Sequence, residues 1–114
     1  KKDIIIRGGE NIPVVQIEGA LYKMPQVAEV AIAAMPDLRL GERACAFVVL
    51  RPGGRLTMKD VRSFLADEGV AKQFWPERLE ILEQMPRTPT GKIQKFALRE
   101  IAKGLSVHKT TERS

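Results

Sequence analysis

VAEVAIAAMPDLRLGERACAFVVL, Val27 to Leu50, decides the fold. Its second half, ACAFVVL from Ala44, is apolar at every position, as a central strand covered on both faces would be. The first half, VAEVAIAAM, is β-prone in part. Its alanines weaken that reading, and its flanking turns favour a strand. PDLRLGE between them reads as a turn or loop. Two strands joined in this way need helices to cover them.

The flanking sequence supplies those helices. Upstream, Ile4, Ile5 and Ile6 form a short β-prone run, followed by RGGENIP. Pro13 suits a first helical turn, and Val14, Ile17, Leu21 and Met24 recur at helical spacing. Gln16, Glu18 and Lys23 can then face water, and Pro25 marks the stop. Downstream, RPGGR breaks the chain. Thr57 is a natural cap with Asp60 as its reciprocal partner three residues on. Val61, Phe64 and Leu65 line an apolar face, and Gly69 ends the helix. RLEIL, Arg78 to Leu82, is a further strand, and Leu98, Ile101, Ala102 and Leu105 describe a last helix. The predicted order is strand, helix, two strands, helix, strand, helix. This is a small α+β domain, a few-stranded sheet covered by helices, over residues 1–105. Residues 106–114 have little to bury and are expected to fray.

Composition narrows the function classes. With 114 residues there is room for one domain and a modest core, but not for a large enclosed active site as well. No run approaches the roughly 20 apolar residues of a membrane span, and the start lacks the pattern of a signal peptide. A cytoplasmic location follows as the expectation. The opening KKD carries no initiator methionine, so the chain is expected to be a piece of something longer. Cys45, the only cysteine, sits in the apolar strand and reads as a buried, inert thiol. His108, the only histidine, lies in the polar tail. Zinc chemistry and histidine-based hydrolysis therefore lack their residues, and no metal site is expected.

The formal net charge is +5. Between Gln84 and Leu105, Arg87, Lys92, Lys95, Arg99 and Lys103 face only Glu100, a local balance of +4. That excess suits an anionic partner or plain solubility. Within it, PRTPTGKIQK sets Lys92 beside a glycine and between turn-forming residues. A lysine ammonium there can serve phosphate or carboxylate oxygens, or it can be an exposed surface cation. Neither RGGENI nor GKI has the spacing of a phosphate-binding loop.

KKDIIIRGGENIPVVQIEGAL, VAEVAIAAMPDLRLGERACAFVVL and QMPRTPTGKIQKFALRE, in this order, resemble the C-terminal domain of adenylate-forming acyl-CoA synthetases. The three blocks span most of the chain, and the combination is highly specific. The resemblance implies a mobile domain that completes a carboxylic acid–CoA ligase. An N-terminal adenylation domain in the same chain would hold most of the ATP and acyl pocket. The full-length enzyme would use ATP with Mg2+ and CoA, and this fragment alone would bind none of them tightly and activate no acid. Lys92 matches the movable lysine that aids acyl-AMP formation. Gly8 and Gly9 match the loop that turns toward pantetheine for thioester formation. Lys2 matches the hinge, and Glu10 and Asn11 would organise the glycine loop. Arg7 would add phosphate attraction or simply be solvated. A medium-chain, long-chain or alicyclic acid is the implied substrate.

The chain departs from the family's pattern in two places. Proline moves to Pro13, with Gln16 where an acid is common. FWPERL also lacks the basic pair around proline seen in some relatives, which leaves Trp75 to packing and Glu77 without a phosphate role. A rival reading is a small basic module for RNA or an anionic protein, but 5% aromatic content gives few stacking platforms for bases, so nucleic acid is not expected. A third is an interaction domain whose GK loop packs against a larger partner.

Overall fold

The computed structural model describes residues 4–105. Lys2, His108 and the expected frayed tail lie outside the described residues. Five strands form one mixed sheet: β1 Ile5–Arg7, β2 Glu10–Ile12, β3 Val27–Asp37, β4 Gly41–Leu50 and β5 Arg78–Leu82. The α-helices among the described residues are α1 Val14–Leu21, α2 Met58–Asp67 and α3 Lys95–Lys103. A short 3-10 turn, Lys72–Phe74, precedes β5. The predicted α+β class stands.

β3 and β4 form a long antiparallel hairpin, from Val27 opposite Leu50 to Asp37 opposite Gly41. Pro36, Asp37, Gly41 and Glu42, expected in a loop, are strand residues. Asp37 closes the short turn between them, its Oδ2 accepting from the backbone N–H of Leu40 at 2.7 Å and of Arg39 at 3.1 Å. Because β3 fills one edge of β4, the other edge serves two strands. β5 runs parallel along Cys45–Val49, and β1 meets β4 only where Arg7 faces Gly41. β3 is left at the edge of the sheet.

ACAFVVL is buried on both faces, as read from its composition. Ala44, Ala46 and Val48 face a core closed by α1 and α2, with Ile17, Leu21, Val61 and Leu65. Cys45 and Phe47 face a second core closed by α3 through Leu98 and Ala102. The helices thus make a layer on each side of the sheet. Each large apolar side chain removed from water contributes about 1.5–3 kcal/mol. Ile101, read with Leu98 and Ala102 as one apolar stripe of the last helix, is 41% exposed, whereas Leu98 and Ala102 are fully buried.

Local chemistry explains the helix limits. At α2, Thr57 Oγ1 accepts from the Asp60 N–H at 3.1 Å, and the Asp60 carboxylate accepts from the Thr57 N–H at 3.0 Å. Gly69 ends that helix with φ of +80°. Pro13 is the residue before α1 rather than inside its first turn, and its carbonyl accepts from Ile17 N–H at 3.2 Å. Leu21 ends α1, leaving Met24 buried in the turn that follows.

Candidate functional site

RGGENI, expected as a loop between strand and helix, is itself a hairpin. Ile5 faces Ile12, Ile6 faces Asn11 and Arg7 faces Glu10, which leaves Gly8 and Gly9 as a two-residue turn. Their φ angles of +58° and +84° are those such a tight turn requires at both positions. Among the described residues, a Cβ added at Gly9 would meet nothing within 4 Å, so backbone conformation alone demands glycine there.

One register pair is little to hold this hairpin on the sheet, and polar contacts supply the rest. Gly8 N–H donates to the Leu40 carbonyl at 2.9 Å, and Ile6 N–H to Glu42 at 2.9 Å. Arg7 is not solvated: its guanidinium pairs with Glu77 at 2.8 Å and donates to the Gln73 carbonyl. Glu77 also takes Arg43 at 2.8 Å, and Arg43 donates to Asp37 at 2.7 Å. Arg43 and two turn amides hold the Asp37 carboxyl below its usual range. Glu10 accepts from Gln73 at 2.8 Å, whereas Asn11 is exposed. Gly8, Gly9, Glu10 and Asn11 are therefore brought together. Beside them opens a groove of about 460 Å³ with Arg62, Lys72, Trp75 and the Arg7–Glu77 pair on its walls. Trp75 packs against the core and donates its indole N–H to Val70 at 2.9 Å.

Lys92 lies on a second hairpin. Gly91 N–H donates to the Thr88 carbonyl at 2.9 Å, and Thr88 N–H donates to the Lys92 carbonyl at 2.8 Å. This is a three-residue loop, Pro89-Thr90-Gly91, closed by a glycine with φ of +94°. Below it Arg87 bridges Ile93, and Gln94 N–H donates to the Pro86 carbonyl at 2.8 Å. Lys92 N–H also donates to Thr88 Oγ1 at 3.1 Å. The backbone of Lys92 is thus fixed at both its donor and its acceptor. Its side chain is exposed, with no hydrogen bond or ion pair among the described residues.

The basic excess around Lys92 is largely spent on internal pairs: Arg87 with Glu29, Lys95 with Glu18, and Lys103 with Glu100. That leaves the rival basic-module reading a smaller net field than the sequence suggested. Glu18, expected to face water, turns instead to the sheet edge. Glu100 lies three residues from Lys103 on α3, but Glu29 and Glu18 are distant in sequence from Arg87 and Lys95, and no local spacing flags them.

The two hairpins stand far apart. The glycine turn sits where Asp37 faces Gly41, and Arg87 ties the lysine hairpin to Glu29 at the other end of β3. The eight residue steps of strand from Glu29 to Asp37 make about 27 Å.

The family model described as the AMP-binding enzyme C-terminal domain matches residues 16–92, more than half of the chain, and its match ends at Lys92. The chain belongs to this family. Members similar to it include the medium-chain fatty-acid–CoA ligase of Escherichia coli (strain K12), 48% identical over 88% of this chain and 18% of the relative. The salicylyl-CoA synthase / salicylate adenylyltransferase of a Streptomyces species is 44% identical over 90% of the chain and 19% of that protein. Among solved structures, ATP-bound MatB from Rhodopseudomonas palustris superposes with a TM-score of 0.83 at 34% identity, over 90% of this chain and 20% of that one. Apo MbtA from Mycobacterium smegmatis gives 0.81 at 37% identity, over 87% and 19%. The chain thus spans about a fifth of the length of the family members it matches. Among the described residues, no helix is long and apolar enough to cross a membrane, and no cluster of acidic, histidine or cysteine side chains could hold a metal.

Proposed function

We propose that this chain is the mobile C-terminal domain of a carboxylic acid–CoA ligase, residues 1–105, acting with an N-terminal adenylation domain. Lys92 is its catalytic residue for acyl-AMP formation from ATP and an acid. Its ammonium stabilises the charge that develops as the carboxylate oxygen attacks the α-phosphorus and pyrophosphate leaves. The glycine hairpin, with Gly8 and Gly9 at its turn and Glu10 holding Gln73, faces the thiol of CoA in thioester formation. Lys2 is the hinge. Mg2+ and the acyl pocket belong to the partner domain. The names of relatives that act on a medium-chain fatty acid and on salicylate support a carboxylic acid as the substrate class.

One observation carries this reading: Lys92 is exposed, with an unpaired side chain among the described residues, at the tip of a hairpin where its own backbone N–H and carbonyl are both bonded. A surface lysine kept only for solubility needs no such mounting. The roughly 27 Å of strand between the points where the two hairpins are fastened to β3 supports two working orientations. The test is Lys92→Ala in the ligase, followed by rapid quench of acyl-AMP. Adenylation should fall on the order of 100-fold. Thiol transfer from supplied acyl-AMP should be much less affected. Wild-type adenylation by the folded variant refutes the role.

A further inference from the structure

β3 is an edge strand, and at Ile32 both backbone polar groups point away from β4. The Ile32 N–H donates to Glu18 Oε2 at 2.8 Å, and the Ile32 carbonyl accepts from Lys95 Nζ at 2.9 Å. Glu18 and Lys95 also pair with each other at 2.9 Å. Glu18 comes from α1 on one face of the sheet and Lys95 from α3 on the other. The two side chains therefore close around the edge of the sheet, three residues beyond Lys92.

We propose that Glu18 and Lys95 form a positioning clamp for Lys92. Capping an edge strand against another chain would need only a charged side chain pointing outward. Here the cation is the first residue of α3, and the preceding residue, Gln94, closes the Lys92 hairpin through its bond to Pro86. The other leg is tied to the same strand through Arg87 and Glu29. Both legs of the hairpin are thus fastened to β3, at Glu29 and at Ile32. The clamp sets where the tip stands relative to the sheet, and Lys95 acts through Lys92 without touching substrate. This rests on the reading of Lys92 as the adenylation cation.

The experiment compares Lys95→Met, Lys95→Arg, Lys92→Ala and the double variant in the ligase, with hydrogen exchange on the 114-residue chain. Lys95→Met should slow acyl-AMP formation on the order of 10- to 100-fold, the scale of misplacing a reacting group by about 1 Å. Thiol transfer from supplied acyl-AMP should persist, and Lys95→Arg should recover most of the rate. Added to Lys92→Ala, Lys95→Met should cost nothing further, because a residue acting through Lys92 has nothing left to position. Exchange at the Thr88, Lys92 and Gln94 amides should accelerate on the order of tenfold, as loss of a charge-assisted hydrogen bond implies. Unchanged exchange and adenylation in Lys95→Met beside a defective Lys92→Ala overturn the clamp alone. A further loss in the double variant overturns action through Lys92. Normal adenylation by Lys92→Ala overturns the underlying reading and the clamp's catalytic purpose with it.

Discussion

Replacing Gly9 separates the mechanical role of the glycine hairpin from the chemical role we propose for it. At φ of +84°, an L side chain costs about 1–2 kcal/mol in the left-handed region. Removing glycine also stiffens the unfolded chain, returning about 0.4–1 kcal/mol. Among the described residues, nothing beyond its chain neighbours lies within 4 Å of an added Cβ, so no clash adds to the sum. Gly9→Ala should therefore lose about 1 kcal/mol, a small part of the roughly 5–15 kcal/mol of a typical domain. Calorimetry of the 114-residue chain should show Tm falling by about 4–8 °C with the transition still cooperative. Gly9→Asn should fall less, since asparagine tolerates this conformation. In the ligase, Gly9→Val should slow thiol transfer more than acyl-AMP formation. Loss of the folding transition in Gly9→Ala would refute the energetic reasoning. Normal thiol transfer in a folded Gly9→Val enzyme would refute the thiol-facing role.

Other consequences follow from the charges and the core. Glu77→Gln leaves Arg7 and Arg43 without their shared carboxylate and should cost about 2 kcal/mol, with faster exchange at the Gly8 amide as its local sign. Asp37 has its folded-state pKa depressed, so its stabilising contribution is present above the unfolded value of about 3.9 and is lost as pH falls through the lower folded one. Denaturant midpoints measured from pH 6 down to 2 should fall less steeply in Asp37→Asn. Burial pushes the Cys45 thiol far up from its ordinary value, with the nearby Glu80 charge adding to the effect. A thiol reagent at pH 8 should label it only as fast as the chain unfolds; rapid stoichiometric labelling of native protein would contradict its burial.

What the sequence determined by itself was whatever rests on neighbouring residues. The doubly apolar run Ala44–Leu50, the Thr57–Asp60 cap and RLEIL each express a local pattern, and each appears in the structure at those positions. The blocks around Gly8, Val27 and Lys92 also pointed to the family, because residue identity in order survives without any knowledge of contacts. The extent of the β3–β4 hairpin did not emerge in this way: Pro36 and Gly41 look like turn residues until a partner strand supplies their pairing. The β1–β2 hairpin was hidden because three-residue strands have too short an alternation to read. The clamp of Glu18 and Lys95 was hidden for a stronger reason. They lie 77 positions apart, beyond any helical or strand period, and each alone resembles a solvated surface charge. Only packing α1 and α3 on opposite faces of one edge strand brings them to 2.9 Å. The separation of the glycine and lysine hairpins is likewise a property of the sheet: strand length and pairing set it, and both are long-range outcomes of burying Val27–Leu50 on two sides.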